Sequence, residues 1–227
     1  MNRFLIALVC TGALIAAAPR ACDPFVLDKC TAKVLFFAQN TTATVEPSEV
    51  AWACEQEKIA IECLKEHNKN CVTGLAQGVS KLVIEGATQE SDLKCEVGGP
   101  KNKDYYKYVP CINKNGRKLN KCMMDATKAT EAATQVPAKE RVAQMCCGLH
   151  KLEACVVAAT RETCDSKHAN YVKGVIAGVA GDLLETVCAK FGPNTNSCKN
   201  LSPMKISRTQ KYLTIIPPVV EVLQSLK

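Results

Sequence analysis

AKERVAQMCCGLHKLEACVVAATRETC, residues 138–164, reads as one amphipathic helix carrying Cys146, Cys147 and Cys155, with Cys164 closing the turn behind it. Val142, Met145, Leu149, Leu152 and Val156 recur at spacings of 3 and 4 and draw one apolar stripe along it. Cys146 and Cys155 are nine residues apart, and nine steps of about 100° bring the second cysteine to the opposite face. A helix with cysteines on both faces can be stapled to two different neighbours. That is a scaffold device rather than a catalytic one.

The other cysteines repeat the arrangement. Positions 22, 30, 54, 63, 71 and 95 are separated by 8, 24, 9, 8 and 24 residues. Positions 111, 122, 146, 155, 164 and 188 are separated by 11, 24, 9, 9 and 24. The spacing predicts an internal duplication with a period near 92, each half built of stacked helix pairs. Cys54 to Cys71 lies over Cys146 to Cys164, and Pro47 and Pro137 precede the two central helices as start signals. Following helices are expected over Cys71–Gly86 and His168–Phe191, and preceding ones over Phe25–Gln39 and Leu119–Ala133. Gly174, Gly178 and Gly181 form a small-residue face suited to close packing of two helices.

Residues 1–21, MNRFLIALVCTGALIAAAPRA, have a basic start, an apolar run and a small-residue end, the pattern of a secretory signal peptide. Of fifteen cysteines only Cys10 falls there, which leaves an even fourteen. Even number, density and secretion together predict up to seven disulfides. Fourteen cysteines allow roughly 135,000 pairings, so connectivity stays open. Cys147 and Cys198 stand outside the repeat, and their pairing with each other is one option. The organisation expected is 1–21 signal, 22–95 first six-cysteine half, 96–110 linker, 111–198 second half with two extra cysteines, and 199–227 tail. The fold class expected is all-α and disulfide-stapled.

Residues 96–121 hold seven Lys/Arg against Glu96 and Asp104, most of the net +7 of the chain, and include Tyr105, Tyr106 and Tyr108. A solvated loop is the plain expectation here; contact with an anionic surface is the functional one. The tail from Tyr212 is apolar but broken by Pro217 and Pro218, too short to span a membrane and suited to docking on the helical body. Asn40-Thr41-Thr42 and Asn200-Leu201-Ser202 are glycosylation acceptors.

Chemical signatures are missing. The chain has no H-E-x-x-H, no G-x-S-x-G, no phosphate-cradling glycine loop and no C-x-x-C zinc pair. His67, His150 and His168 are expected on the surface rather than as general bases. No catalytic residue, cofactor, metal or nucleic-acid partner is expected. Val, Leu and Ala on stapled helices could enclose an apolar ligand, although a filled core is the plainer expectation.

The stretch from Cys54 to Cys188 resembles the 27 kDa hemolymph glycoprotein family of arthropods. The resemblance is carried by KLEACVVAATRETCDSKHANYVKGVIAGVAGDLLETVC (151–188), IAIECLKEHNKNC (59–71) and EGATQESDLKCEVGGPKNKDYYKYVPCI (85–112). It implies a secreted, helical, cysteine-rich glycoprotein without an established biochemical activity, and supplies no catalytic residues. The central segment departs from that family's longer apolar run, with Lys and Tyr in its place. The leading expectation is a non-enzymatic protein of an extracellular or body fluid, with carriage of an apolar ligand as its specific form. The alternative is a secreted effector, such as a venom or salivary component acting on a host target.

Overall fold

The computed structural model describes residues 22–225; the expected signal peptide, with Cys10, lies outside them. Helices α1 (Pro24–Thr31), α2 (Pro47–Cys71), α3 (Gly74–Cys95), α4 (Pro100–Ile112), α5 (Gly116–Ala133), α6 (Ala138–Arg161), α7 (Ser166–Thr186), α8 (Asn196–Lys199) and α9 (Ile216–Leu223) make up the body. No strand occurs among the described residues. The protein is all-α and disulfide-stapled.

Helix starts follow local chemistry. Pro24, Pro47 and Pro100 open α1, α2 and α4, where the missing N–H has no helical partner to lose. Asp165 caps α7 by accepting from Lys167 N and His168 N at 2.9 and 3.2 Å.

All fourteen cysteines among the described residues are paired. The first six join as Cys22–Cys71, Cys30–Cys63 and Cys54–Cys95. The second six join as Cys111–Cys164, Cys122–Cys155 and Cys146–Cys188. In both sets the order is first to fifth, second to fourth, third to sixth. The seventh bridge is Cys147–Cys198. The nine-residue spacing works as its geometry requires: α2 is tied by Cys54 to the end of α3 and by Cys63 to α1. Likewise α6 is tied by Cys155 to α5 and by Cys146 to Cys188, just past α7. Among the described residues α6 is the one helix long and apolar enough to cross a membrane, with mean hydropathy 1.2. Its three bridges lace it instead into the helical body.

Both halves share one core. Val72, Ala76 and Val79 pack in the same cluster as Ala126, Met145, Leu183 and Val222. Helices α3 and α7 meet at two glycines. A Cβ on Gly86 would run into the carbonyl oxygen of Gly178, and one on Gly178 into the Glu90 carboxylate. Gly174 and Gly181 face open space, so only Gly178 of the small-residue face makes the close approach. Gly86→Ala is expected to destabilise by about 1–2 kcal/mol, overpacking outweighing the gain in helix propensity. Gly174→Ala is expected to be neutral or stabilising by up to about 1 kcal/mol. Urea denaturation of the two variants checks the contrast.

Three expectations need correction. The helix expected over Phe25–Gln39 ends at Thr31. Val34, Leu35 and Phe37 in the run that follows serve separate apolar clusters, and Phe37 takes a positive φ of 57° to do so. The segment 96–110 is not a solvated loop: Gly99 and Pro100 start α4, and Asn102, Tyr105, Val109 and Ile112 form its buried stripe. Tyr105 is buried, donating its hydroxyl to Thr44 O at 2.6 Å, so one of the three tyrosines faces the core rather than a surface partner. Finally, α3 runs to Cys95 instead of Gly86, because Ser91 and Lys94 turn inward and continue the helix. The tail docks as expected: α9 lies in the core, with Val222 and Leu223 buried.

Candidate ligand cavity

The helices do not fill all the space between them, although a filled core is the plainer expectation from the sequence. Between the two halves lies a cavity of about 330 Å³. Its apolar wall includes Leu64 of α2, Val83 and Ile84 of α3, Leu152 of α6, Val179 of α7 and Val219 of α9. Every long helical pair contributes because both halves present their apolar stripes inward, and α9 completes the wall. A water molecule's share of liquid volume is about 30 Å³, and a methylene group is of similar size. The space therefore suits about ten such groups.

The charged groups on the wall are matched. Glu57 pairs with Lys94 and accepts from Ser91 Oγ at 2.7 Å. Lys94 Nζ also lies 4.8 Å from the centre of the Phe36 ring, a cation–π contact. Lys101 pairs with Glu90, and Glu153 faces Lys173 at 3.9 Å. Both wall lysines are thus engaged by carboxylates. Tyr171 lies on the wall too. Burial, then the Glu90 and Asp104 carboxylates, push its phenol well above its ordinary range, so it stays neutral. The cavity offers apolar surface without an uncompensated cation for an anion.

The histidines divide. His67, expected on the surface, lies on the cavity wall. His168 is bonded to Asp165 at 2.7 Å and edge-on to Tyr108. His150 is half-buried. Cys111, Cys164 and His168 come close enough together to suggest a metal, but the two sulfurs share a disulfide and offer no thiolate. Asn40 and Asn200 are both exposed, as acceptors for a glycan must be.

The buried polar groups escaped sequence reasoning, although a signal was present. Glu57 interrupts the stripe Val50, Cys54, Ile61, Leu64, and a charge at a core position calls for a buried partner. Asp28, between Leu27 and Thr31, is a second case: it is buried and accepts from Leu213 N and Thr214 N at 2.6 and 2.8 Å.

A scan against protein-family models and searches of curated proteins and of solved structures find no match. The fold and the cavity therefore carry the functional reading by themselves.

Proposed function

We propose that this is a secreted, non-enzymatic carrier of a small neutral apolar ligand in an extracellular or body fluid. The observation that carries the reading is the cavity of about 330 Å³ walled by apolar side chains from both halves and the tail. Ligand sites are commonly clefts of about 300–1,000 Å³ with mostly apolar lining and few polar groups. The seven bridges support it in two ways. They fit an oxidising, extracellular compartment, and they offset the cost of a hollow core. Space that the protein's own side chains leave unfilled forgoes packing energy, a cost that grows with its volume. Bridges at about 2–4 kcal/mol each can hold such a body together.

Residues 1–21 as a signal peptide, glycans on Asn40 and Asn200, and kinship with hemolymph glycoproteins belong to the same reading. Duplication of a six-cysteine unit belongs to it too, and the repeated pairing order supports that.

Native mass spectrometry of the protein purified from the fluid it is secreted into is expected to show a noncovalent mass released by organic solvent. Protein found consistently without such a mass, and taking up no apolar compound supplied to it, overturns the carrier reading.

A further inference from the structure

The cavity wall carries a polar feature that its apolar lining does not use. Among the described residues four buried side-chain polar atoms lack a hydrogen-bond partner: Asn68 Oδ1, Ser80 Oγ, Glu140 Oε2 and Gln210 Oε1. Two of the four, Asn68 and Ser80, belong to residues lining this cavity, and both residues are more than nine-tenths buried. Leaving such atoms unpaired is costly.

Their placement is fixed by the hairpin of α2 and α3. Asn68 Nδ2 donates to Gln77 O at 3.1 Å, and Gln77 Nε2 donates back to Asn68 O at 3.1 Å. The amide nitrogen of Asn68 is therefore committed to α3, which settles the orientation of the carboxamide and leaves its oxygen as the free acceptor. Ser80 lies three residues beyond Gln77 on the same side of α3. A helical serine ordinarily returns its hydroxyl to the carbonyl four residues back; that of Ser80 does not. The two lining residues thus hold one free acceptor and one hydroxyl that can donate or accept.

We propose that the bound ligand is a long-chain alcohol whose single hydroxyl is read by Asn68 and Ser80. This rests on the carrier reading above. A hydroxyl satisfies both atoms, donating to Asn68 Oδ1 and accepting from Ser80 Oγ. An ether or ester brings no donor for Asn68. A fatty carboxylate brings acceptors only, and the wall lysines Lys94 and Lys101 are already held by Glu57 and Glu90. The remainder of the wall, Leu64, Val83, Ile84 and their neighbours, receives the hydrocarbon chain.

Equilibrium dialysis of the intact, oxidised protein against decan-1-ol, methyl decyl ether and decanoate, each quantified by gas chromatography, tests this. The alcohol is expected to bind about tenfold more tightly than either of the others. Ser80→Ala is expected to bring the alcohol down to the level of the ether without lowering Tm, because the hydroxyl it removes has no partner in the protein. Ser80→Thr, which keeps a hydroxyl, is expected to restore most of the preference. Equal binding of all three compounds, or an alcohol preference that survives Ser80→Ala, overturns the hydroxyl assignment and leaves the carrier reading standing. Failure of all three to bind overturns both.

Discussion

Replacing Cys146, Cys147, Cys188 and Cys198 together by alanine is expected to cost about 7 kcal/mol, a large share of the roughly 5–15 kcal/mol by which a domain is ordinarily stable. Either bridge alone should cost about 3 kcal/mol, and the difference has a topological origin. Cys146 and Cys147 are adjacent, and their partners Cys188 and Cys198 are ten residues apart. With one bridge in place, the other closes a ring of only about a dozen residues, and the entropy removed from the unfolded chain is small. Once both are gone, the chain from Cys146 to Cys188, a separation of 42 residues, is released as well. That step is worth about 4 kcal/mol. The double removal therefore exceeds the sum of the single ones by about 1 kcal/mol. Cys146 and Cys188 are also fully buried in the main core cluster, so their loss adds a packing defect that the loss of Cys198 does not. Guanidinium denaturation of the two double-alanine variants and the quadruple variant, followed by far-ultraviolet circular dichroism, measures the coupling. Strict additivity would mean that the adjacent cysteines constrain separate parts of the unfolded chain.

That redundancy explains why cysteine spacing was so informative about the fold and so silent about the cavity. Spacing of 9 places two sulfurs on opposite faces of α2 and α6, and helical geometry alone dictates the rest. Whether the apolar faces between the staples fill the space completely depends on where α3 and α7 cross. That crossing is set by Gly86 and Gly178 meeting backbone to backbone, a relation between residues ninety-two positions apart. Only Gly178 stood out in the sequence, as part of a stripe whose other members, Gly174 and Gly181, meet nothing. The basic segment misled for a different reason. Lys103 and Lys107 mark the outer face of α4, whereas Tyr105, Val109 and Ile112 on the inner face decide its structure. Charge content dominated a pattern that periodicity would have read as a helix.

Asp28→Ala is expected to cost about 3–5 kcal/mol and to release the tail while the rest of the body stays folded. The Asp28 carboxylate is almost fully buried. It accepts from Leu213 N at 2.6 Å, and from Thr214 N and Thr214 Oγ1 at 2.8 and 2.9 Å. Thr31 Oγ1 adds a contact to the Thr214 hydroxyl at 2.7 Å. Alanine at position 28 leaves two backbone N–H groups at the start of the tail without their acceptor, each at about 1–3 kcal/mol. No bridge reaches beyond Cys198, so nothing covalent holds α9 in place once that latch is lost. The seven bridges hold α1 to α8 regardless. Because Ile216, Val219, Val220 and Leu223 form part of the cavity wall, undocking the tail removes that side of the cavity. Trypsin is then expected to cut after Lys211 well before it cuts the helical body, and the apolar ligand of the carrier function proposed above is expected to dissociate more than tenfold faster. Limited proteolysis read by intact mass, alongside a dissociation time course, separates two roles for α9. Faster cleavage with unchanged ligand release makes it a structural strap; acceleration of both makes Asp28 the latch on a door.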